Sequence, residues 1–136
     1  MSLHEVQHAL LTAAGRCLDG WPLAEENKSF QPQGGGRWAA LHFLPKLPSA
    51  AALGEGGADE VRGLLQIDLN YPAGLGAEQG CRDFEHIRQC FHAGARFTHA
   101  GQSVLVVNCG RAAGLIVGGC YRVPVTISWF AHIERC

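Results

Sequence analysis

Charge is scarce in this 136-residue sequence: Asp, Glu, Lys and Arg make up 17% of it, against about 25% in an average soluble domain. Eleven basic residues face twelve acidic ones, for a net charge of −1. Such a chain has no basic field to hold nucleic acid or an anionic membrane, and little repulsion to keep copies apart. No apolar run approaches the ~20 residues needed to cross a bilayer. Met1 to Leu18 carries Glu5 and two histidines instead of a basic region followed by an apolar run, so it does not read as a signal peptide. No C-x-x-C pair occurs among the six cysteines, which removes the most specific metal-binding spacing.

What remains is ordinary for a globular protein. The apolar fraction is 47%, which excludes a disordered chain. The length fits a single domain, residues 1–136, with a core of its own. Eighteen glycines are roughly double normal usage. Cys17, Cys81, Cys90, Cys109, Cys120 and Cys136 are expected to be free thiols of a reducing compartment, because a domain of this size needs no staples.

Periodicity predicts the elements. Residues 2–18 read as a helix with Ser2 as N-cap, Glu5 completing a capping box, and a stripe of Leu3, Val6, Leu10, Ala13, Ala14 and Cys17. A strand is expected from Arg37 to Leu44, stopped by Pro45 and apolar on both faces except at His42. Residues 46–60 read as a glycine-rich loop, long enough to suspect a function. Strict alternation over Val61–Tyr71, broken only at Gly63 and Leu64, predicts a half-buried strand. The turn Pro72–Gly76 opens a second helix, about 77–92, whose stripe is Gly80, Phe84, Ile87 and Phe91. A hairpin, Arg96–His99 and Ser103–Cys109, turns at Ala100-Gly101. A glycine-rich loop at 110–119 precedes a last alternating strand from Tyr121 to Trp129, in which Pro124 suggests an edge or a bulge. The fold class is α+β: a mostly antiparallel mixed β-sheet with two α-helices packed on one face.

Chemistry-bearing constellations are weak. Gly74 to Gly80 lies where a dinucleotide fingerprint belongs, but the spacing is off by one. Pro72 and Glu78 also oppose a bound anion, so a turn with close helix packing at Gly80 is the better reading. Cys81, His86, Cys90 and His92 are the densest group of potential metal ligands. Cys81 and Cys90, however, flank an apolar stripe where a thiol behaves as a small hydrophobe. His4 and His8 fit a solvated helix face. Ser49, Ser103 and Ser128 lack the setting of a nucleophile, and Cys120 after Gly118-Gly119 has no assignable base. Glu25-Glu26 and Asp59-Glu60 read as solvated charge. No catalytic, cofactor-binding or metal residue is assigned. Arg62 and Arg122 fall on the polar faces of their strands and are candidates for a shared surface.

The succession of features resembles the phage tail terminator family of long-tailed bacteriophages and prophages over about residues 2–132. It is carried by Asn27-Lys28-Ser29-Phe30-Gln31-Pro32, the strand Trp38–Pro45, the block Gln66-Ile67-Asp68-Leu69-Asn70-Tyr71-Pro72 before a helix, and the final strand Val123-Pro124-Val125-Thr126-Ile127. The resemblance implies a structural protein rather than an enzyme, forming a ring, typically hexameric, on the end of the tail tube. The ring stops tube polymerisation and offers the head–tail connector protein a surface to join. The implied partners are other copies of the chain, the tail tube protein and the connector, with no membrane, no cofactor and no specific nucleic-acid binding, although DNA passes through such a ring. The implied location is the virion tail, after assembly in the bacterial host cytoplasm. The residues expected to make contacts are Lys46, Glu55, Asp59, Glu60, Arg62 and Arg122. A head–tail connector or neck protein is the alternative, and a small cofactor-binding or hydrolytic enzyme a more distant one.

Overall fold

The computed structural model describes residues 2–26, 30, 36–46, 49–50 and 57–134. Helix α1 spans Leu3–Cys17 and buries Val6, Ala9, Leu10, Ala14 and Cys17; Ala9 joins the expected stripe, whose Leu3 and Ala13 are only partly buried. The Ser2 backbone N–H donates to Glu5 Oε2 at 3.2 Å, closing the first turn. Gly20, at φ +84°, provides the left-handed residue that turns the chain away after the helix. Helix α2 spans Glu78–Cys90 and buries Gly80 and Ile87.

The described strands are β1 (Leu23–Glu25), β2 (Trp38–Pro45), β3 (Ser49–Ala50), β4 (Ala58–Pro72), β5 (Arg96–His99), β6 (Gln102–Arg111), β7 (Leu115–Val117) and β8 (Cys120–Glu134). They form one sheet ordered β1-β2-β4-β8-β6-β5, with β3 added on β4 and β7 on β8. Every pairing is antiparallel except β1 with β2. Alternation then sorts the side chains. Leu65, Ile67, Leu69, Val123, Val125, Ile127 and Trp129 share one face and join Val6, Leu10, Ala14 and Ile87 of the helices in the core. Arg62, Gln66, Asp68 and Asn70 of β4, with Arg122, Thr126 and Phe130 of β8, lie on the opposite face. The α+β class with both helices on one face is as the sequence indicated. Among the described residues, no helix is long and apolar enough to cross a membrane.

The break in alternation at Gly63 has a packing cause. Gly63 lies opposite Trp129 across the β4–β8 ladder. A Cβ there would stand 2.6 Å from the indole, 2.7 Å from the Leu44 carbonyl oxygen and 2.9 Å from Pro45 Cα. Trp129 is fully buried and stacks on Phe43 at 5.3 Å. The glycine is therefore the space into which the largest core side chain is laid.

Three expectations are corrected. First, β4 and β8 are each 15 residues long. Asp59 and Glu60, expected in a loop, pair with Ile133 and His132 instead, and with Ala50 and Ser49 of β3 on the other side. Second, Pro124 is neither at an edge nor in a bulge of its own strand. It lies in the central strand β8, opposite Asp68. Its carbonyl accepts from the Ala112 N–H at 3.0 Å, in the gap between β6, which ends opposite Val125, and β7, which starts opposite Arg122. The N and C=O of one strand residue point the same way, so the missing N–H faces a break in the neighbouring strand. Third, Cys17 and Cys90 are not free thiols but a disulfide, 73 residues apart in sequence with Cα atoms 6.2 Å apart. The two helices end side by side, and these are their last residues. Closing a loop of that length is worth about 4 kcal/mol in the chain-entropy account.

Gly63→Ala is expected to lower unfolding free energy by about 1–3 kcal/mol, the usual cost of overpacking a core. Urea denaturation checks it, and the midpoint should fall without a change of slope.

Candidate functional site

The helix-free face of the sheet carries three of the charged residues singled out in the sequence, Glu60, Arg62 and Arg122, at two separate ends. At one end, Arg62 Nη2 donates to Glu60 Oε1 at 2.9 Å, and its guanidinium lies 5.4 Å from the Phe130 ring centre. The Lys46 N–H donates to the Arg62 carbonyl at 2.8 Å, and the Lys46 side chain is exposed. Asp59 stands next in the same strand, on the other face. Glu55 lies outside the described residues.

Arg122 is at the far end, opposite Asn70. Eight residues of strand separate Arg62 from Asn70, about 27 Å at the rise of an antiparallel strand. Arg62 and Arg122 thus share a face but not a patch. Arg122 belongs to a polar network that sequence reading missed. Its Nε donates to Asn70 Oδ1 at 2.9 Å, and Asn70 Nδ2 donates to the Asp68 carbonyl at 3.1 Å. Asp68 accepts from Gln66 Nε2 at 2.9 Å and stands 3.4 Å from His42 Nε2. Asp68 and Asn70 are buried, although no helix covers their face. Alternation marked them as outward-facing polar residues, and nothing in that pattern distinguishes a solvated carboxylate from one enclosed by hydrogen-bonding neighbours.

The glycine turn before α2 reads as structure. Gly74 and Gly76 take φ of +90° and +82°, which only glycine adopts without strain. Gly80 is held against Val123 Cγ2, 3.0 Å from where its Cβ would be, and against the Tyr71 ring. Glu78 puts a negative charge on the first turn, paired with Arg82 at 2.6 Å, where a phosphate would need a positive one. The turn is bolted from below: the Tyr71 hydroxyl donates to Asp83 Oδ2 at 2.7 Å, and Arg37 approaches the same oxygen at 3.5 Å. Arg37 also stacks on Trp21, 4.2 Å from its ring centre. Burial and the Asp83 carboxylate together hold the Tyr71 hydroxyl well above its ordinary range.

The described cysteines form no assembled nucleophile. Cys120 opens β8 opposite Val117, and among the described residues no hydrogen bond joins it to a base. Burial pushes the Cys109 thiol up to about 11, away from the reactive thiolate. The densest group of potential metal ligands in the sequence, Cys81, His86, Cys90 and His92, is not brought together on α2. Cys81 is exposed, and His92 Nδ1 is engaged with the Ala93 carbonyl at 3.1 Å. His86 and Cys90 meet Cys17 of α1 instead.

The domain presents one helix-covered face and one polar face, and comparison with known proteins shows which family it is like. The family model described as "Phage tail terminator protein" matches residues 5–129. Thirteen solved chains match. One of them superposes with a TM-score of 0.77, covering 96% of each chain at 17% identity, a likeness of fold. No curated protein matches the chain. The chain belongs to the phage tail terminator family, a family of structural virion proteins.

Tyr71→Phe is expected to cost about 1.5–3 kcal/mol at neutral pH, the range for a hydrogen bond to a charged group. The sign with pH follows from the raised hydroxyl. The stabilisation is complete below the unfolded value of 10.0 and is lost as the pH rises above it. Unfolding curves of the wild type and the variant should therefore converge as pH increases beyond 10.

Proposed function

We propose that this protein terminates the tail by closing a ring on the end of the tail tube. The ring stops addition of tube subunits and leaves a surface for the head–tail connector. The observation that carries this reading is the family match across residues 5–129. The surface supports it. Among the described residues the three-residue strand β7 pairs with β8 alone, and its Leu115 and Ile116 are exposed, Ile116 at 63%. Apolar, β-branched side chains on an unpaired edge are normally avoided unless something covers them. Low net charge permits copies to come together.

In this reading Glu60 and Arg62, with the exposed Lys46 beside them, form a contact region at one end of the helix-free face. Asp59, on the other face of the same strand, and Glu55 are further contact residues. Arg122 acts at the other end, held in place by Asn70. DNA passes through the bore without sequence-specific contacts, and assembly takes place in the host cytoplasm before the protein is carried in the virion tail. A neck or connector protein would differ in position, bound on the head side and leaving tail length unaffected.

Ile116→Asp tests the edge. The residue is exposed, so stability should change by no more than about 0.5 kcal/mol. Added to polymerising tail tube protein, the wild type should shorten the tubes in proportion to its concentration, and the variant should not. Equal shortening by both would remove β7 from the contact surface.

A further inference from the structure

We propose that, once reduced, Cys17, His86 and Cys90 form a binding site for a zinc-class divalent cation. The two sulfurs and one imidazole nitrogen lie within 4.8 Å of one another, contributed by two helices far apart in sequence. Ligands of one tetrahedral zinc ion, with bonds of about 2.0–2.3 Å, lie about 3.3–3.8 Å from each other. The group therefore needs the sulfurs to part and the imidazole to move in. Side-chain rotation achieves this, because the Cα atoms of Cys17 and Cys90 are already 6.2 Å apart.

Three features favour a cation here. Cys17 and Cys90 are the last residues of α1 and α2, so two helix C-termini, each carrying partial negative charge, converge on the site. His86 Nε2 lies 2.8 Å from the Cys17 carbonyl oxygen. An oxygen can only accept, so Nε2 carries the proton and the other ring nitrogen keeps its lone pair. Fixing the tautomer through a backbone carbonyl is the usual support for a metal-bound histidine. The site also opens on a cleft of about 590 Å³, whose wall includes Thr12, Arg16 and Arg96. The cleft gives a path of entry and room for water as a fourth ligand.

The chemistry balances. Two equivalents of a small thiol such as glutathione deliver two electrons and two protons to the Cys17–Cys90 disulfide, giving two protein thiols and one oxidised thiol dimer. Binding then breaks two S–H bonds, releases two protons to water and forms two metal–sulfur bonds. Disulfide and metal are alternative clamps on the same pair of helix ends.

Cobalt(II) is the probe, added without oxygen to the full-length protein reduced with a phosphine. The expected result is a thiolate-to-cobalt charge-transfer band saturating at one equivalent, displaced by one equivalent of zinc. Cys17→Ser and Cys90→Ser should abolish the band. His86→Gln should weaken binding by at least ~10-fold, and Cys81→Ser and Cys109→Ser should leave it unchanged. The wild type itself controls for misfolding: oxidised protein should give no band, and re-reduction should restore it. No band in reduced wild type, or one that survives oxidation of the Cys17–Cys90 pair, overturns the site.

Discussion

The antiparallel ladder between β4 and β8 holds the rest of the fold in place. It runs unbroken from Ala58 opposite Glu134 to Pro72 opposite Cys120. Strands β2 and β3 build outward from one side of it, and β6 and β7 from the other. Because side chains alternate, a slip of one residue would turn Leu65, Ile67 and Leu69 away from the helices and put Gln66 and Asp68 under them. Gly63 guards against that slip: Trp129 fits only opposite a residue without a side chain. The two longest strands, one glycine and one indole therefore fix the register on which both faces depend.

Much of this was legible in the sequence because period-two alternation survives wherever one face is buried. Val61–Tyr71 and Tyr121–Trp129 announced two alternating strands, though not their pairing, and Ser2 with Glu5 marked the start of α1. Alternation failed at the ladder's ends, where Asp59, Glu60 and His132 carry no apolar signal and pairing alone holds the strand. Three-residue strands such as β1 and β7 are too short to show a period, and β1 joins the sheet by a parallel pairing that no local pattern encodes. The Cys17–Cys90 bond was invisible for a different reason. Each cysteine looked like a small core residue of its own helix, and only the side-by-side ends of α1 and α2 bring them together. The same blindness applies to the candidate surface. The polarity of Asp68, Asn70 and Arg122 was readable, but their joining into one buried chain of hydrogen bonds was not.

The division of the molecule into a helix-covered face and a polar face suits a protein whose work is contact. One face is spent on stability, with the helices clamped together at their ends. The other is left to polar groups whose positions are fixed by one another and not by a covering layer. Buried polar networks of this kind are costly unless fully partnered. Asn70 meets that condition by accepting from Arg122 while donating to the Asp68 carbonyl. At the margins, β7 offers an apolar edge of a sort that an isolated soluble domain has reason to hide.

The central claim is that the protein sets where the tail tube ends. Tail length, measured by negative-stain electron microscopy after deleting the gene from its phage or prophage, tests it most directly. Overlong, variable tails without heads are the predicted result. Tails of normal length would contradict it, whether or not they join heads.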